Sequence, residues 1–355
     1  MNARVTRMNV ETKEPITLRL IAKSLGVSHV TVSLALRNAP QISLARRRQI
    51  QDAALRMGYR RNAMATALGQ RRLLGKAHPV TSGMAWINYW EHPKEIHQYK
   101  EFELYWESAL ATAAWYGYSL EEFVCNREFT LTRLDQVLQA RGVRGILIPP
   151  HPVLPADWDT FPWHKYSVVR FGHSILRPRV HVVTSDQATN SMMAFAKIRA
   201  LGYSRIGYVT TKAAHTRFKA GFLMAQSDLE AKIKVPPLVL SKEQQDDDGQ
   251  KMLLQWLRKY RPDGLMTDVA VMPEMLKKAG YRIPHDIGVA ALSVLDGNAD
   301  TGINQNPEEI GKAAAEMLIS LINHNHTGVP KICRELLIEG EWAQGSMMPS
   351  RLKLK

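Results

Sequence analysis

The sequence predicts a small all-α domain followed by an α/β body that consists of two similar halves with parallel sheets. Three observations support this fold class. Residues 17–69 carry apolar side chains at helical spacing, with glycines near the expected helix ends. From about residue 82 onward, apolar runs typical of strands alternate with helical stretches, as in parallel sheets covered by helices. A chain of 355 residues is also too long to fold around a single hydrophobic core, so two or three domains are expected.

The first two predicted helices are joined by a tight turn. Apolar spacing predicts the first helix over Leu18–Leu25, with Thr17 as its cap. Gly26 permits the turn, and Ser28 is a good cap for a second helix that runs to about Leu36. Two helices joined in this way, the second with a polar outer face, form the helix-turn-helix pattern, whose second helix enters the major groove of DNA.

The outer face of the second helix is predicted to meet base edges. His29 and Ser33 can hydrogen-bond to bases, while Val30 can make apolar contact, for example with a thymine methyl. A third helix, capped by Ser43 and ended by Gly58, is predicted to complete the small domain. The alternative is a small helical bundle whose polar face only meets water.

Positive charge is concentrated in the same part of the chain. Residues 1–77 contain fifteen Lys or Arg and three Asp or Glu, which is +12 of the chain's +14. A basic head on a nearly neutral body is the electrostatic pattern of nucleic-acid binding. A membrane-surface segment is the alternative, but the head has no long apolar face beside its charge. Arg46, Arg47 and Arg48 either add electrostatic affinity or form a solvated helix face.

The motif LxxIAxxLGVSxxTVSLAL, followed by GYRRNxxAxxL, resembles the DNA-binding head of LacI/GalR-family transcription regulators. The tight turn stands here as Gly26 and the TVS triplet as residues 31–33. Many members have Arg after this triplet, whereas this chain has Leu34, which removes a potential bidentate guanine contact. The resemblance implies phosphate contacts, which set register rather than sequence, at Thr17, Ser28, Thr31, Ser43, Tyr59 and Asn62.

A fourth, shorter helix is predicted from Asn62 to Leu68. Seven residues are too few for a stable isolated helix in water. In the family, this hinge helix forms when two copies pair in the minor groove, and its Leu wedges between base steps. Leu68 matches that wedge, with a core residue as the alternative. The family often has Pro before the Asn; this chain has Arg61, which should make the hinge more dependent on DNA and dimerisation.

The body is predicted as alternating strands and helices, with a helix over 310–322 returning to the first half. Strands are predicted at Met84–Tyr89, Ser119–Val124, Gly145–Ile148, Ser167–Phe171, Val180–Thr184, Arg205–Thr210, Val235–Leu240, Gly264–Thr267 and Gly288–Ser293. The other helices are predicted at Glu101–Tyr116, Leu131–Ala140, Asn190–Leu201, Ala214–Asp228, Gln250–Tyr260 and Pro273–Ala279.

This body resembles the periplasmic-binding-protein-like (type I) effector domain of the same family. The resemblance is carried by LGY and RIG within 201–207, RPDG at 261–264, GYRIPHDIGV at 280–289 and INQNPEEIG at 303–311. It implies two subdomains with parallel sheets and a small molecule, commonly a sugar or nucleobase, bound in the cleft between them.

The domain boundaries follow from these patterns. The prediction is a disordered tail over 1–15, a helix-turn-helix domain over 16–60, hinge and linker over 61–81, an effector-binding domain over 82–345 and a tail over 346–355. Within the effector domain, the N-subdomain is predicted at about 82–184 and 306–330, and the C-subdomain at about 185–305 and 331–345.

Effector-binding residues are expected where strands end, because ligands of open α/β sheets sit outside the carboxyl edge. The predicted set is Tyr89, Trp90, His173, Asp186, Arg217, Asp268 and Ser293. Trp90 either stacks on a sugar ring or serves as a core or surface residue. Asp186 matches a family Asp on the crossover, and Asp268 matches the cleft Asp.

Two departures from the family concern the cleft. The usual effector-gripping Arg lies three residues before a Gly-Phe pair, where this chain has Phe218, and Arg217 stands one residue earlier. A family Asp also falls on Ser293. The usual grip on sugar hydroxyls is therefore expected to be altered, which leaves an unusual effector, or none, as alternatives.

Other classes of protein are disfavoured. Cys125 and Cys333 are far apart in sequence and are predicted to be reduced and buried, as in a cytosolic protein. No run of about 18 apolar residues predicts a membrane span, and the polar N-terminus lacks a secretory core. No enzyme, cofactor or metal motif is found; the acidic run 246–249 and the pair His324 and His326 lack the spacing of ligands.

The sequence therefore predicts a cytoplasmic, homodimeric regulator, most simply a repressor, that binds a palindromic operator in double-stranded DNA. A small molecule in the cleft, such as a carbohydrate, is expected to set its DNA affinity. The alternatives are a solute-binding protein of a transport system, an enzyme acting on a sugar or nucleotide, and a regulator without a small-molecule effector. Activation rather than repression stays open, because it depends on where the operator lies.

Overall fold

The computed structural model describes residues 17–36, 39, 41–57, 83–126, 129–152, 158–175, 177–211, 216–241 and 247–352. These residues fall into two compact units, one with three helices near the N-terminus and one with two sheets. Within the described ranges, no helix combines the length and apolarity needed to cross a bilayer.

The first unit consists of helices α1 (Leu18–Leu25), α2 (His29–Leu36) and α3 (Leu44–Arg56). Thr17 caps α1 by accepting the Leu20 N–H at 3.3 Å. Gly26 ends α1 with φ +61°, a conformation that costs glycine little. Buried apolar residues from all three helices form the core, namely Ile21, Ala22, Val32, Ala35, Ile50 and Ala54.

The second unit begins with the elements of one sheet and its helices. A 3₁₀ segment, Pro93–Gln98, precedes the first helix of this second unit. The elements are β1 (Gly83–Asn88), α4 (Lys100–Trp115), β2 (Ser119–Val124), α5 (Leu131–Ala140), β3 (Val143–Ile148), β4 (Ser167–Phe171) and β5 (His181–Ser185).

The chain then crosses to a second set of elements and returns. This set is α6 (Gln187–Ala200), β6 (Ile206–Thr211), α7 (Thr216–Ala225), β7 (Leu238–Leu240), α8 (Asp247–Tyr260), β8 (Gly264–Thr267), α9 (Met272–Lys278), β9 (Gly288–Ala291) and β10 (Gly302–Asn304). The last elements are α10 (Pro307–Asn323), β11 (Glu335–Ile338) and β12 (Glu341–Ala343).

Each sheet has six strands and defines one subdomain. The first has the order β11-β5-β4-β3-β1-β2, and all its pairings are parallel. The second has the order β12-β10-β9-β8-β6-β7, with only β12 antiparallel. Strands β3 to β5 are almost entirely buried, as expected when helices cover both faces.

Three crossovers connect the subdomains and contact one another. The N–H of Asp186, after β5, donates to the carbonyl of Ile338 at 2.8 Å. The side-chain amide of Asn306, after β10, donates to the carbonyl of Glu339 at 2.9 Å. Segments that are distant in sequence are therefore hydrogen-bonded into one hinge.

The predicted alternation of strands and helices is confirmed, with shifts at the ends of several elements. Two predictions are corrected. Residues 331–345 were assigned to the C-subdomain, but β11 pairs with β5 in the first sheet, so the last crossover lies after Ile338. Cys125 is buried, whereas Cys333 is partly exposed; neither forms a disulfide within the described residues, and the Cys333 thiol donates to the carbonyl of Arg179 at 3.0 Å. The predicted hinge helix and linker lie outside the described residues.

Candidate nucleic-acid interface and cleft

Helix α2 separates a buried face from an exposed one. Val32 and Ala35 are fully buried in the core of the first unit. His29 and Val30 are exposed, and Val30 leaves 51 % of its surface in contact with solvent. Ser33 is half-buried between these faces. An apolar side chain so exposed adds nothing to the core, so this face is available for binding.

Three of the predicted phosphate-contacting side chains serve as helix caps. The Ser28 hydroxyl accepts the N–H of Thr31 at 3.0 Å and lies 2.9 Å from the Thr31 hydroxyl. Ser43 accepts the N–H of Arg46 at 3.4 Å, in the same way that Thr17 caps α1. The three residues thus mark helix N-termini, where amides and the helix dipole favour anions such as phosphate.

The arginine triplet on α3 does not form a uniform basic face. Arg47 donates to the carbonyls of Ala39 and Ile42 at 2.9 and 3.0 Å, which ties α3 to the preceding turn. Arg46 donates to Gln49 at 2.6 Å and to the carbonyl of Leu25 at 3.4 Å. Arg48 is exposed. Of the three, Arg48 is therefore the guanidinium best suited to contact a phosphate.

Tyr59, Asn62 and Leu68 were predicted to contact DNA. All three lie outside the described residues. Their roles stay predictions.

On the first subdomain, the two aromatic candidates after β1 are held by the loop after β3. The N–H of Tyr89 donates to Nε2 of His151 at 2.9 Å. Burial lowers the pKa of His151 to about 4, so its ring is neutral and can accept this bond. Trp90 is only 8 % exposed, and its indole N–H donates to the carbonyl of Pro150 at 2.9 Å. Trp90 is therefore fixed near the carboxyl end of β1, and the ring of Tyr99 is tilted against it with the ring centroids 5.7 Å apart.

His173 and Arg217 meet at a residue that the sequence did not indicate. Glu335, at the start of β11, lies 4.0 Å from Nε2 of His173 and 3.8 Å from a guanidinium nitrogen of Arg217. Arg170 on β4 is buried, and its guanidinium donates to the carbonyls of Gly172 and Ile175. Burial lowers the pKa of Arg170, and the charge of Glu335 opposes that change. These side chains form an ionic cluster between the subdomains.

Asp186 and Asp268 have different structural roles. Asp186 caps α6 by accepting the N–H of Thr189 at 3.1 Å. Asp268, at the end of β8, accepts hydrogen bonds at Oδ2 from the hydroxyls of Tyr208 and Thr210 at 2.7 and 2.8 Å. Two donors from β6 thus fix the Asp268 carboxylate, as expected for a group that orients a ligand.

Ser293 contacts the other subdomain. Its hydroxyl accepts the N–H of Asp296 at 3.4 Å and hydrogen-bonds to the carboxyl of Glu101 in α4. Asp296 in turn accepts the N–H groups of Lys100 and Glu101. Glu101 and Asp296 were not singled out by the sequence, because a single acid in a helix turn or loop is commonplace.

A histidine is paired with two glutamates beside α4. His97 contacts Glu103 through Nδ1, and its Nε2 lies 3.1 Å from Glu122. Burial alone would lower the pKa of His97, but the hydrogen bonds to Glu103 and Glu122 outweigh it and raise the pKa. Glu122 also accepts from the amide of Asn88 at 2.8 Å, which links β1 to β2. In the part of the chain described, no group of three potential ligand side chains is arranged to hold a metal ion.

A three-helix unit with an exposed recognition face, joined to a two-subdomain α/β unit, defines a class of DNA-binding transcriptional regulators. Residues 17–62 match the family model of bacterial regulatory proteins of the lacI family, and residues 195–341 match that of a periplasmic binding protein-like domain. The chain belongs to the lacI family of bacterial regulatory proteins.

Individual relatives are distant. The HTH-type transcriptional repressor PurR of Mannheimia succiniciproducens is 22 % identical over 326 residues, which cover 87 % of this chain and 92 % of that protein. A transcriptional regulator CelR–cellobiose complex has a TM-score of 0.57 at 18 % identity, covering 94 % of this chain and 99 % of that one. A lac repressor dimer bound to operator and the anti-inducer ONPF has a TM-score of 0.55 at 17 % identity, covering 95 % and 100 %. These likenesses establish the fold.

Proposed function

We propose that the protein is a homodimeric repressor that binds a palindromic operator and is controlled by a small molecule, sugar-like in character, in the cleft between the subdomains. The observation that carries the DNA-binding part is the exposed His29 and Val30 face of α2 above the buried Val32 and Ala35. The concentration of +12 charge in residues 1–77 supports the same reading. The similar lac repressor was solved as a dimer on its operator.

The effector part rests on polar groups at the strand ends. Asp268 is held by two hydroxyl donors, and Trp90 and Tyr99 supply aromatic surface on the other subdomain. A carboxylate held in one orientation and aromatic side chains near the strand ends of the other subdomain suit a polyhydroxylated ligand. The similar CelR was solved with cellobiose, which favours a sugar over other small molecules.

The coupling is proposed to act through the hinge. A ligand that favours one orientation of the subdomains would change the spacing of the two hinge helices at 62–68 in a dimer, and so their ability to pair on DNA. The proposed division of the chain is 16–60 for DNA binding, 61–81 for hinge and linker, and 82–345 for the effector. The proposed location is the cytoplasm, where operator DNA is accessible.

Selection of genomic fragments by the purified protein tests the DNA-binding part. Recovered fragments are expected to share a palindrome, and binding is expected to weaken steeply as salt is raised. His29→Ala should reduce operator affinity by about 1–3 kcal/mol while leaving random-sequence binding nearly unchanged. A protein that shows no preference for any palindrome, or whose binding ignores salt, would contradict the proposal.

The effector part has a separate test. Mono- and disaccharides are titrated into the protein while unfolding temperature and operator affinity are followed. A sugar that binds the wild type should bind Asp268→Asn more weakly, whereas Asp228→Asn, an exposed acid in the same subdomain, serves as the matched control. Operator binding that no sugar alters, in a protein that no sugar stabilises, would favour a regulator without a small-molecule effector.

A further inference from the structure

The N-terminus of α4 in the first subdomain is capped by a carboxylate from the second. The first two amides of the helix, those of Lys100 and Glu101, donate to Asp296 Oδ1 and Oδ2 at 2.8 and 3.2 Å. Tyr99, which holds the capping position in the chain, makes no side-chain cap. The first amides of a helix have no partner within the helix, and the helix dipole favours an anion there. Asp296 meets both requirements across the cleft.

Glu101 lies beside this contact and is itself enclosed. Its side chain is 8 % exposed, and it hydrogen-bonds to the Ser293 hydroxyl, which accepts the N–H of Asp296. Its Oε1 is buried and has no hydrogen-bond partner among the residues described. The charged and titratable groups that act on it are Asp296 from the second subdomain and Tyr105 one turn along α4. An acid is thus buried beside a second acid.

The second subdomain contributes to this burial. Ser293 and Asp296 belong to the loop after β9, so separating the subdomains removes both from Glu101 and returns its carboxyl to water. The pKa of Glu101 is raised from the ordinary 4.5 to about 7; burial is the main cause, the Ser293 hydrogen bond opposes it, and the charge of Asp296 adds to it. A buried carboxyl with an unpaired oxygen is far less costly neutral than ionised.

We propose that Asp296 and Glu101 form a proton-dependent latch, which closes the cleft without a ligand: Asp296 fastens the end of α4, and Glu101 must carry a proton for the closed form to be stable. This regulates the same cleft as the proposed function, and rests on that function only for its effect on DNA binding. The pKa of Glu101 is about 7 in the closed form and is taken as the ordinary 4.5 in the open form, where the carboxyl is in water. Between these two pH values the closed form binds one more proton than the open form. Closure is therefore favoured as pH falls from about 7 toward 4.5 and is opposed above about 7.

The latch predicts a direct readout at two amides. Hydrogen–deuterium exchange of the full-length protein, without DNA or added sugar, is followed in peptides covering residues 97–104 and corrected for the intrinsic effect of pH. The amides of Lys100 and Glu101 should be about tenfold more protected at pH 6 than at pH 8, since pH 6 lies one unit below the pKa of the closed form and each unit corresponds to a tenfold change in equilibrium. Small-angle scattering should show a more compact particle at the lower pH.

Three variants separate the roles of the residues. Glu101→Gln mimics the protonated acid and should keep the pH 6 protection at both pH values. Asp296→Ala, which removes both acceptor oxygens, should lose protection at both. Glu107→Gln, the same change at an exposed position of the same helix, should behave like the wild type.

The latch is refuted if Asp296→Ala keeps the protection, or if Glu101→Gln retains the pH response of the wild type. Circular dichroism melts of each variant distinguish loss of the latch from loss of the fold. Because the assay contains no operator, its failure leaves the DNA-binding proposal standing. Absence of operator binding would equally leave the latch untouched.

Discussion

The phenolic hydroxyl of Tyr208 donates to Oδ2 of Asp268 at 2.7 Å, and this bond joins two neighbouring strands at the cleft edge of the second sheet. Tyr208 is fully buried on β6, and Asp268 follows β8. Burial is the main cause of the raised pKa of Tyr208, and the charge of Asp268 adds to it, so the phenol stays protonated and donates. The carboxylate that is proposed to contact an effector is therefore oriented from inside the core.

Removing this donor should destabilise the protein. Tyr208→Phe deletes one hydrogen bond from a buried hydroxyl to a charged group and leaves the Thr210 hydroxyl as the described donor at Oδ2 of Asp268. The expected loss is about 1–3 kcal/mol in the free energy of unfolding, measured by urea denaturation. Tyr116→Phe is the control, because the Tyr116 hydroxyl makes a longer bond of 3.4 Å to Glu316. Equal losses in the two variants would contradict the role assigned to Tyr208.

His97 should make stability depend on pH in a defined direction. Its pKa in the folded protein is raised above the ordinary 6.5 by Glu103 and Glu122, against the effect of burial. Because this pKa is higher in the folded protein than in the unfolded chain, protonation of His97 stabilises the fold. The contribution is fully present below about pH 6.5 and is lost as pH rises through the pKa of the folded protein. The difference in unfolding free energy between wild type and His97→Gln should thus shrink between pH 6 and pH 9.

The pairing itself can be measured by NMR titration of the His97 ring. The pKa is expected above 6.5 in the wild type and should fall in Glu122→Gln, because one acceptor of the imidazolium is neutralised. A value below 6.5 in the wild type would show that burial outweighs the two glutamates.

Neighbouring arginines on α3 should respond to substitution in different ways. Arg47→Ala removes bonds to the carbonyls of Ala39 and Ile42, so it should lower the unfolding temperature of the DNA-binding unit. Arg48→Ala is exposed and should leave that temperature unchanged, while reducing the salt dependence of DNA binding by about one phosphate contact. Calorimetry and fluorescence anisotropy at several salt concentrations measure the two effects. A reversed pattern would exclude these assignments.

Gly221 should not tolerate a side chain. A Cβ at this position would lie 2.3 Å from the carbonyl oxygen of Ala188, where helices α6 and α7 pack closely. Gly221→Ala is expected to cost about 1–3 kcal/mol, because backbone must move to accept the methyl group. Gly142→Ala provides the comparison: nothing lies within 4 Å of its added Cβ, and the cost there comes from φ +67° alone, about 1 kcal/mol. Chemical denaturation compares the two.

Most of the fold was predictable because most of its strands are buried on both faces or alternate between buried and exposed residues, and its helices have clear ends. Ser119–Val124, Ser167–Phe171 and Leu131–Ala140 were predicted with their observed bounds. The missed strands lack that signal. β10 and β12 have three residues each, and β11 has the burial pattern of an exposed edge. Pairing with distant strands, rather than local sequence, makes these segments extended.

The cleft was less predictable than the fold. Strand ends located Asp268 and Ser293, since topology brings such positions to one edge of a sheet. Asp296 could not be found in this way, because its partners at Lys100 and Glu101 are nearly 200 positions earlier in the chain. Acids are also favourable in the first turn of any helix, so Glu101 gave no distinctive signal. Its burial depends on the position of the second subdomain.

The bonded crossovers at Asp186, Asn306 and Glu339 limit how the two lobes can travel. Three crossover segments that are hydrogen-bonded side by side permit rotation of the subdomains about a single axis but resist sliding or wide separation. A small angular change near that axis becomes a larger displacement at the far rim of either lobe. Substitutions that cut the Asn306 bond to Glu339 would therefore alter the direction of the movement, even where the end states stay equally stable.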